Sequence, residues 1–304
     1  MFAPHPLLTI TLEREGERRE RVHFHPGGQG VWVARMAASM GAQPVLCSFL
    51  GGESGALLDR LLEPLAAQRR LVATASPSGS YVTDRRSGER HVLSRVLSDP
   101  PSRHELDELF SITCAEAIAC GSLVLTNPMP PEALPLDTYG NLVANARAGG
   151  CRTLVDLSTP RLDSALVGEP DLVKLNDWEL AEFVRGPVSE AWQLRAAASR
   201  LRDRGARIVI VTRGEQPALV LAGERAWLLK PPHLTGGFRE GCGDAMMGAL
   251  AASLAQGEDL ERSLIIAAAA GAANFLRHGL GSASSEVVER LVDSVELEPL
   301  SAEE

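Results

Sequence analysis

The sequence lacks the features that would suit it to a membrane, a structural zinc ion or a nucleic acid. Its five cysteines are scattered and never spaced C-x-x-C, which argues against a disulfide framework and a zinc site. The longest apolar run, Leu264–Ala273, is too short to span a bilayer. The net charge of −9 disfavours a broad attraction to nucleic acid or to an anionic membrane. Any phosphate that binds to this protein must therefore be held by a local binding site and not by the overall charge.

The N-terminus also lacks a recognisable targeting signal. Met1–Pro6 has no basic region followed by an apolar stretch and a cleavage site, so we expect no signal peptide. Unpaired cysteines suit a reducing compartment, and together these features predict a cytoplasmic protein. The 304 residues, of which 45% are hydrophobic and 23% charged, are enough for one large globular domain or two modest ones.

The pattern along the chain predicts one α/β domain, residues 1–304, with a small β lid. Residues 7–25 and 71–97 alternate and are interrupted by turns, so each is expected to form lid hairpins. Beyond Ser102, strands alternate with helices, which implies a three-layer αβα arrangement around a mostly parallel sheet. The predicted strands are 122–126, 152–157, 171–175 and 207–212; the predicted helices are 137–148, 177–184, 189–204, 243–256, 260–277 and 284–293. Residues from Glu298 onward resemble a frayed tail.

The strongest local signal is Gly241-Cys242-Gly243-Asp244 at the start of a predicted helix. Glycines let the backbone approach a ligand closely, and a helix N-terminus adds partial positive charge that suits a phosphate. Asp244 is placed to accept a proton from a hydroxyl that attacks the phosphate. Asp is also a common N-cap residue, so the motif by itself leaves the catalytic and the capping interpretations equally open.

Three other motifs are ambiguous on their own. Gly27-Gly28-Gln29-Gly30 lies between a strand and a helix, where it marks a tight turn against a ligand or simply against another backbone. Asn176 and Glu179 follow a predicted strand, and their spacing also fits a capping box. Thr212-Arg213-Gly214 ends a strand at the edge where parallel sheets bind ligands, although such a turn is often only structural. Lys174 is interpreted as a solvated strand residue.

The order of these motifs resembles that of the ribokinase-like (PfkB) sugar kinases over nearly the whole chain. Residues 27–35 resemble the N-terminal signature of that family, and residues 241–245 its C-terminal signature. Several further stretches are similar to the 1-phosphofructokinase branch: Met129-Pro130-Pro131, Ala146-Arg147-Ala148-Gly149-Gly150, Val155-Asp156-Leu157-Ser158 and Gly271-Ala272-Ala273-Asn274.

The resemblance implies phosphoryl transfer from MgATP to a hydroxyl of a small-molecule substrate. It implies that Asp244 is the catalytic base and that the amides of Gly241, Cys242 and Gly243 form an anion hole. It implies that Asn176 and Glu179 help to organise the magnesium ion and the phosphates, and that Glu179 binds the metal. Residues expected to border the nucleotide are Thr212, Gly214 and Asn274. The lid is expected to close over the sugar and exclude water.

The substrate side departs from the family pattern. Gln29 and Trp32 stand where the family usually carries Lys and Asn, Thr126-Asn127-Pro128 replaces Ser-Gly-Ser, and Arg239-Glu240 replaces a Thr. The substrate residues suggested by position are Gly28, Gln29, Trp32 and Asn127, although Trp32 also suits packing against the lid. Lid arginines that could meet a substrate phosphate, or could merely be solvated, are Arg85, Arg86, Arg90 and Arg95.

Two functions therefore stay open at the level of sequence. One is an active kinase with an unusual acceptor, favoured because the residues of the transfer side are all present. The other is a non-catalytic homologue that binds a nucleotide or metabolite, motivated by the altered substrate side. A homodimer that pairs through the lid is expected in either case.

Overall fold

The computed structural model describes residues 1–16, 19–88, 91–277, 281 and 283–300. The strands are β1 Leu7–Glu15, β2 Arg19–Gly27, β3 Val45–Leu50, β4 Gln68–Ala73, β5 Ser80–Asp84, β6 His91–Val96, β7 Ser122–Thr126, β8 Arg152–Asp156, β9 Leu172–Asn176, β10 Ile208–Arg213, β11 Gln216–Ala222, β12 Arg225–Lys230 and β13 Glu296–Pro299. The helices are α1 Gln29–Ser39, α2 Gly52–Leu62, α3 Arg103–Cys120, α4 Asp137–Ala148, α5 Arg161–Val167, α6 Asp177–Val184, α7 Ala191–Asp203, α8 Cys242–Ala255, α9 Leu260–Phe275 and α10 Ser285–Val292. Within these described ranges, no helix has the length and apolar character needed to cross a bilayer.

A mixed, mostly parallel sheet lies between two helical layers, which confirms the predicted fold class. Strands β7, β8, β9 and β10 run parallel, and β11, β12 and β13 continue the sheet in antiparallel fashion. At the other end, β3 and β4 form a parallel pair. Phe2 joins the two parts, because it bridges Cys47 of β3 on one side and Leu125 of β7 on the other. Two large hydrophobic clusters account for the core.

Helix α8 packs closely against its neighbours because its residues are small. A Cβ added at Gly248 would lie 2.4 Å from the backbone oxygen of Val33 in α1, so a larger side chain would force the two helices apart. The facing helix α9 is rich in buried alanine. This close packing fixes the N-terminus of α8 relative to the sheet, which matters for the site described below.

The lid is smaller than the sequence predicted. It is a four-stranded sheet in the order β2-β1-β5-β6, with β1 and β5 parallel. The hairpin of β1 and β2 confirms the prediction over 7–25. The prediction over 71–97 is partly wrong, because residues 68–73 form β4, which pairs with β3 in the central sheet. The alternation of β4 reflects a half-buried edge strand and not a lid strand.

Two further predictions about the C-terminal part need correction. The hairpin of β11 and β12 was not predicted, although both strands are largely buried. The tail predicted from Glu298 is partly wrong, because Glu296–Pro299 forms β13 on the edge of the sheet, paired with β12. Residues 301–304 of that tail lie outside the described residues.

Candidate active site

The turn before α8 exposes backbone donors at the carboxyl edge of the sheet. Gly241 caps the helix in the left-handed region, with φ 74°, a conformation that favours glycine. The amide of Cys242 donates to the carbonyl of Arg239 at 3.3 Å. The amides of Gly243 and Asp244 have no protein acceptor among the residues that the structure describes. Two orphan donors at a helix N-terminus form a binding site for an anion.

Asp244 lies in the first turn of α8, surrounded by other charged groups. Burial raises the pKa of its carboxyl group from the ordinary 3.8 to about 7, and the neighbouring Asp156 adds to this shift. Lys174 and a hydrogen bond from Gln29 act in the opposite direction. A carboxyl group with a pKa near neutrality suits proton transfer in both directions at physiological pH.

Lys174 and Asp156 form a buried ion pair beneath the turn. Lys174 Nζ lies 2.5 Å from Asp156 Oδ2, and both side chains are about 5% exposed. Burial opposes the charge of Lys174, but Asp156 and Asp244 outweigh it and raise the pKa of the ammonium group. A Cβ added at Gly243 would lie 2.9 Å from Lys174 Nζ, so the cation sits directly against the turn. The interpretation of Lys174 as a solvated strand residue is wrong.

Asn176 and Glu179 form the capping box that their spacing allows. The Asn176 side chain accepts from the Glu179 amide at 2.9 Å, and Glu179 Oε2 accepts from the Asn176 amide at the same distance. Burial raises the pKa of the Glu179 carboxyl group, and the bond from the Asn176 amide opposes that shift. The capping role fixes Glu179 at the start of α6, on the same edge of the sheet as Lys174.

A second hydrogen-bonded group connects α1 to the ends of β7 and β8. Gln29 Oε1 accepts from the backbone amide of Asn127 at 2.9 Å and from its Nδ2 at 3.2 Å. Asn127 Oδ1 in turn accepts from the amide and the hydroxyl of Ser158, both at 3.0 Å. Gln29 Nε2 donates to the carbonyl of Asp156 at 3.5 Å, and Gln29 also lowers the pKa of the Asp244 carboxyl group. From the sequence we predict no role for Ser158 or Asp156. Their position at the end of β8, where parallel sheets bind ligands, is the signal that could have identified them.

A cavity of about 530 Å³ opens on one side of the turn. Its lining includes the predicted nucleotide residues Asn176, Thr212 and Gly214, together with Lys174 and Gly243. Its walls are also formed by apolar side chains of the C-terminal half, among them Pro231, Leu234, Met246 and Phe275. The volume and the mixed lining suit a small-molecule ligand.

Asn274 does not line this cavity, although it was predicted to border the nucleotide. It is fully buried, and its Nδ2 donates to the carbonyl of Glu240 at 3.1 Å. Its Oδ1 accepts from the amide of Gly281 at 2.8 Å. The structure therefore places Asn274 behind the turn, where it holds the approach to α8 in position.

A smaller cavity of about 300 Å³ lies on the other side, beneath the lid. Gly28 and Trp32 line it, as do His25, Arg35 and Arg85. Gly28 has φ 100°, and a Cβ there would lie 3.2 Å from the carbonyl of His5, so this turn is also packed against the backbone of the N-terminal segment. Gln29 and Asn127 line neither of the two cavities, and Gln29 lies close enough to Asp244 to affect the pKa of its carboxyl group.

The lid arginines differ in what they contact. Arg86 pairs with Asp84 at 2.8 Å, and Arg95 lies over the ring of Tyr81 at 4.8 Å, so the lid itself accounts for both. Arg85 differs, because it lines the lid cavity and lies 3.8 Å from Glu240, just before the turn. Arg90 lies outside the described residues.

The arrangement defines a phosphotransferase that brings two small substrates together. One cavity reaches the orphan amides of the turn, the other lies under a lid, and a carboxyl group with a raised pKa stands beside the turn. Such a site can hold a phosphoryl donor and a hydroxyl acceptor on either side of a base.

Comparisons with known proteins agree with this class. Residues 7–287 match the profile of the pfkB family carbohydrate kinases, and the chain belongs to that family. It is 30% identical over 277 residues to the ATP-dependent 6-phosphofructokinase isozyme 2 of Escherichia coli K12, covering 88% of this chain and 87% of the relative. It is also 30% identical to the 1-phosphofructokinase of Xanthomonas campestris, covering 81% of this chain and 80% of that one.

The fold is similar as well. The solved tetrameric inhibited form of phosphofructokinase-2 from Escherichia coli superposes with a TM-score of 0.84 at 26% identity, covering 96% of this chain and 97% of the other. These findings confirm the family resemblance and the ribokinase-like fold. The chain is an ATP-dependent carbohydrate kinase with a small-molecule acceptor, and nothing found favours the non-catalytic alternative.

Proposed function

We propose that this kinase transfers the γ-phosphoryl group of MgATP to a hydroxyl of a sugar that already carries a phosphate. The observation that supports this acceptor most is the presence of two guanidinium groups, those of Arg35 and Arg85, in the lining of the lid cavity, where Glu13 and Glu240 also lie. Guanidinium groups bind phosphate oxygens well because their N–H donors form a planar fork. The relatives at 30% identity are named as kinases of fructose phosphates.

In the proposed arrangement, ATP lies in the larger cavity along Asn176, Thr212 and Gly214. Its terminal phosphate then meets the amides of Gly243 and Asp244, which have no protein acceptor within the described part of the chain. Lys174 supplies positive charge beside that turn. Asp244 accepts the proton of the attacking hydroxyl as the new O–P bond forms, and ADP leaves on the opposite side.

The carboxylates of the site fit a magnesium ion that is bound mainly by phosphates. Mg²⁺ keeps several waters and usually takes only one or two protein carboxylates where it accompanies ATP. Glu179 suits this role, because Oε2 accepts from the Asn176 amide while its second oxygen makes no hydrogen bond to any residue that the structure describes. In the described ranges, no group of three or more metal-ligating side chains forms a protein-only site. When bound, the ion would neutralise phosphate charge during transfer.

The acceptor side is proposed to consist of Gly28 and Trp32 on the lid cavity and of Gln29 and Asn127 next to Asp244. Gln29 and Asn127 already bond each other, so their remaining polar atoms are held in fixed directions. A site built this way discriminates strongly, because a sugar with the wrong hydroxyl pattern leaves buried groups unpaired.

We further propose that residues 1–304 form a single kinase domain that dimerises through the lid in the cytoplasm. Support for the dimer comes from large apolar side chains exposed on the two edge strands of the lid: Val22, Phe24, Val92, Leu93 and Val96. Exposed apolar patches and open sheet edges are typical of protein contacts. All five cysteines are free, which suits a reducing compartment.

The proposal is tested by assaying ADP release with MgATP and a panel of sugars and sugar phosphates. We expect turnover with at least one hexose phosphate and much weaker turnover with the unphosphorylated sugar. An Arg85→Ala variant should raise the KM for the phosphorylated acceptor and leave the KM for ATP unchanged. Equal activity on free and phosphorylated sugars, unaffected by that substitution, would contradict the proposed acceptor class.

A further inference from the structure

We propose that Arg239 is a second phosphate-binding cation for ATP and that it reaches the nucleotide by leaving Glu215. The inference rests on the proposed function, since it takes the larger cavity as the ATP site. Arg239 lines that cavity together with Gly243. Its carbonyl accepts from the amide of Cys242 at 3.3 Å, so its backbone is already part of the turn that leads into α8.

The present partner of Arg239 holds it only weakly. Its Nη2 lies 2.6 Å from Glu215 Oε1, and the two side chains are 76% and 56% exposed. Ion pairs in such exposed positions contribute little to stability, because water screens the two charges. Glu215 lines the same cavity. A polyphosphate that enters the cavity therefore competes with Glu215 for one guanidinium group, and it carries several charges where Glu215 carries one.

The charge of the site creates a need for this cation. Three carboxyl groups, those of Asp156, Glu179 and Asp244, act on Lys174, which is the cation next to the turn. The carboxyl groups outnumber the ammonium group, and they would repel an incoming triphosphate. A magnesium ion offsets part of that repulsion, and an exposed arginine in the cavity lining offsets a further part, because its N–H fork binds phosphate oxygens in pairs.

A neighbouring arginine points to the same ligand. Arg213 ends β10 and lines the same cavity, and its buried Nε has no hydrogen-bond partner in the described part of the protein. Buried donors are normally satisfied, so this atom indicates an acceptor that a ligand supplies. Arg213 is fixed at a strand end, whereas Arg239 lies on the segment between β12 and α8. We infer that Arg239 is the member of the pair that changes partner.

The exchange predicts opposite effects for the two members of the ion pair. Arg239→Ala removes the phosphate contact and should weaken ATP binding about tenfold or more, since hydrogen bonds to charged groups contribute about 1.5–3 kcal/mol. Glu215→Gln removes the competitor and should strengthen ATP binding by a few-fold. Arg239→Lys keeps the charge but loses the fork, so its effect should be intermediate. If the pair were only structural, both Arg239→Ala and Glu215→Gln would act in the same direction.

The test is a calorimetric titration of the full chain with a non-hydrolysable ATP analogue and, separately, with AMP. Binding is measured without an acceptor, so a wrong acceptor assignment cannot be confused with a wrong role for Arg239. Arg225→Ala is the control, because Arg225 also forms a surface ion pair, with Glu261, and lines neither cavity. Melting temperatures show whether each variant is folded.

The expected result is that Arg239→Ala weakens binding of the ATP analogue and leaves binding of AMP unchanged, because AMP lacks the two phosphates nearest the turn. Glu215→Gln should strengthen binding of the ATP analogue but not of AMP, and Arg225→Ala should change neither affinity. The proposal is overturned if Arg239→Ala binds the ATP analogue as the wild type does. It is also overturned if Arg239→Ala weakens binding of AMP to the same degree, or if Glu215→Gln weakens binding of the ATP analogue.

Discussion

The two sides of the catalytic turn are built differently. On the transfer side, Lys174 and Asp156 are buried and paired, and both charges act on the pKa of the nearby Asp244 carboxyl group. On the acceptor side, Trp32 and Arg85 line a cavity beneath a small sheet whose edge strands, β2 and β6, are largely exposed. The transfer side matches the family pattern and the acceptor side does not. Residues that handle the phosphoryl group are dictated by the reaction, whereas those that hold the acceptor are dictated by which sugar is bound.

The largest effect expected is on the transfer side. Asp244→Asn removes the base while keeping the size of the side chain, so turnover should fall by a factor of about 10²–10⁴. The affinity for an ATP analogue should change little, because the amides of Gly243 and Asp244 remain. Steady-state ADP release and a calorimetric titration on the same preparation measure the two quantities. Full activity in this variant would show that the two sides do not meet at Asp244.

The next largest effect is on stability and tests whether the buried pair is a unit. Lys174→Met leaves Asp156 charged and alone, and breaking a buried pair in this way costs about 3–5 kcal/mol. Asp156→Asn should cost a similar amount, while the double variant should lose much less than the sum of the two. Urea unfolding of the four proteins measures the coupling. Strictly additive losses would mean that the two residues act separately.

Much of the fold and the local geometry of two motifs in the candidate site could be predicted from the sequence. Strands such as Ser122–Thr126 have an apolar centre, and helix α4 begins at Asp137 and ends before Gly149, so local pattern was sufficient. The motif at residues 241–244 correctly indicated a glycine turn at the start of a helix, because its glycines and its carboxylate lie within one turn of the chain. Asn176 and Glu179 likewise interact through local spacing.

What the sequence could not predict depends on contacts between distant residues. The sequence favours a solvated Lys174, because its partner, Asp156, belongs to another strand 18 residues away. The sequence places most of strand β4 in the lid, because alternation does not reveal which sheet a strand joins. The exchange partners Arg239 and Glu215 are 24 residues apart and meet only because β10 and the turn end at the same cavity.

A smaller effect on the transfer side concerns stability as a function of pH. The pKa of Asp244 is raised from 3.8 to about 7, so the folded state keeps a proton that the unfolded state has already lost between these values. Stability should therefore fall as the pH rises from about 4 to about 7, by at most about 4 kcal/mol. Asp244→Asn should lack this loss, so it should be the more stable protein above pH 7 in urea unfolding. Parallel curves for the two proteins would contradict the raised pKa.

The smallest effect is expected on the acceptor side. Trp32→Ala should raise the KM for the acceptor about tenfold or less, since one side chain lining a pocket contributes about 1–3 kcal/mol. The KM for ATP should stay the same, because Trp32 does not line the larger cavity. Trp192→Ala, which removes an equally large but exposed side chain, is the matched control. An equal rise in both KM values would mean that the cavities are not separate.

The central claim is that a carboxyl group with a pKa near neutrality takes the proton of the acceptor. Its most direct test is the pH dependence of kcat/KM for the acceptor at saturating MgATP, in the wild type and in Asp244→Asn. We expect the wild-type value to rise about tenfold per pH unit below pH 7 and to level off above it, since only the deprotonated carboxylate accepts a proton. The residual activity of the variant should lack that step. A wild-type profile that is flat between about pH 5 and about pH 9, or one that the variant reproduces, would contradict the account.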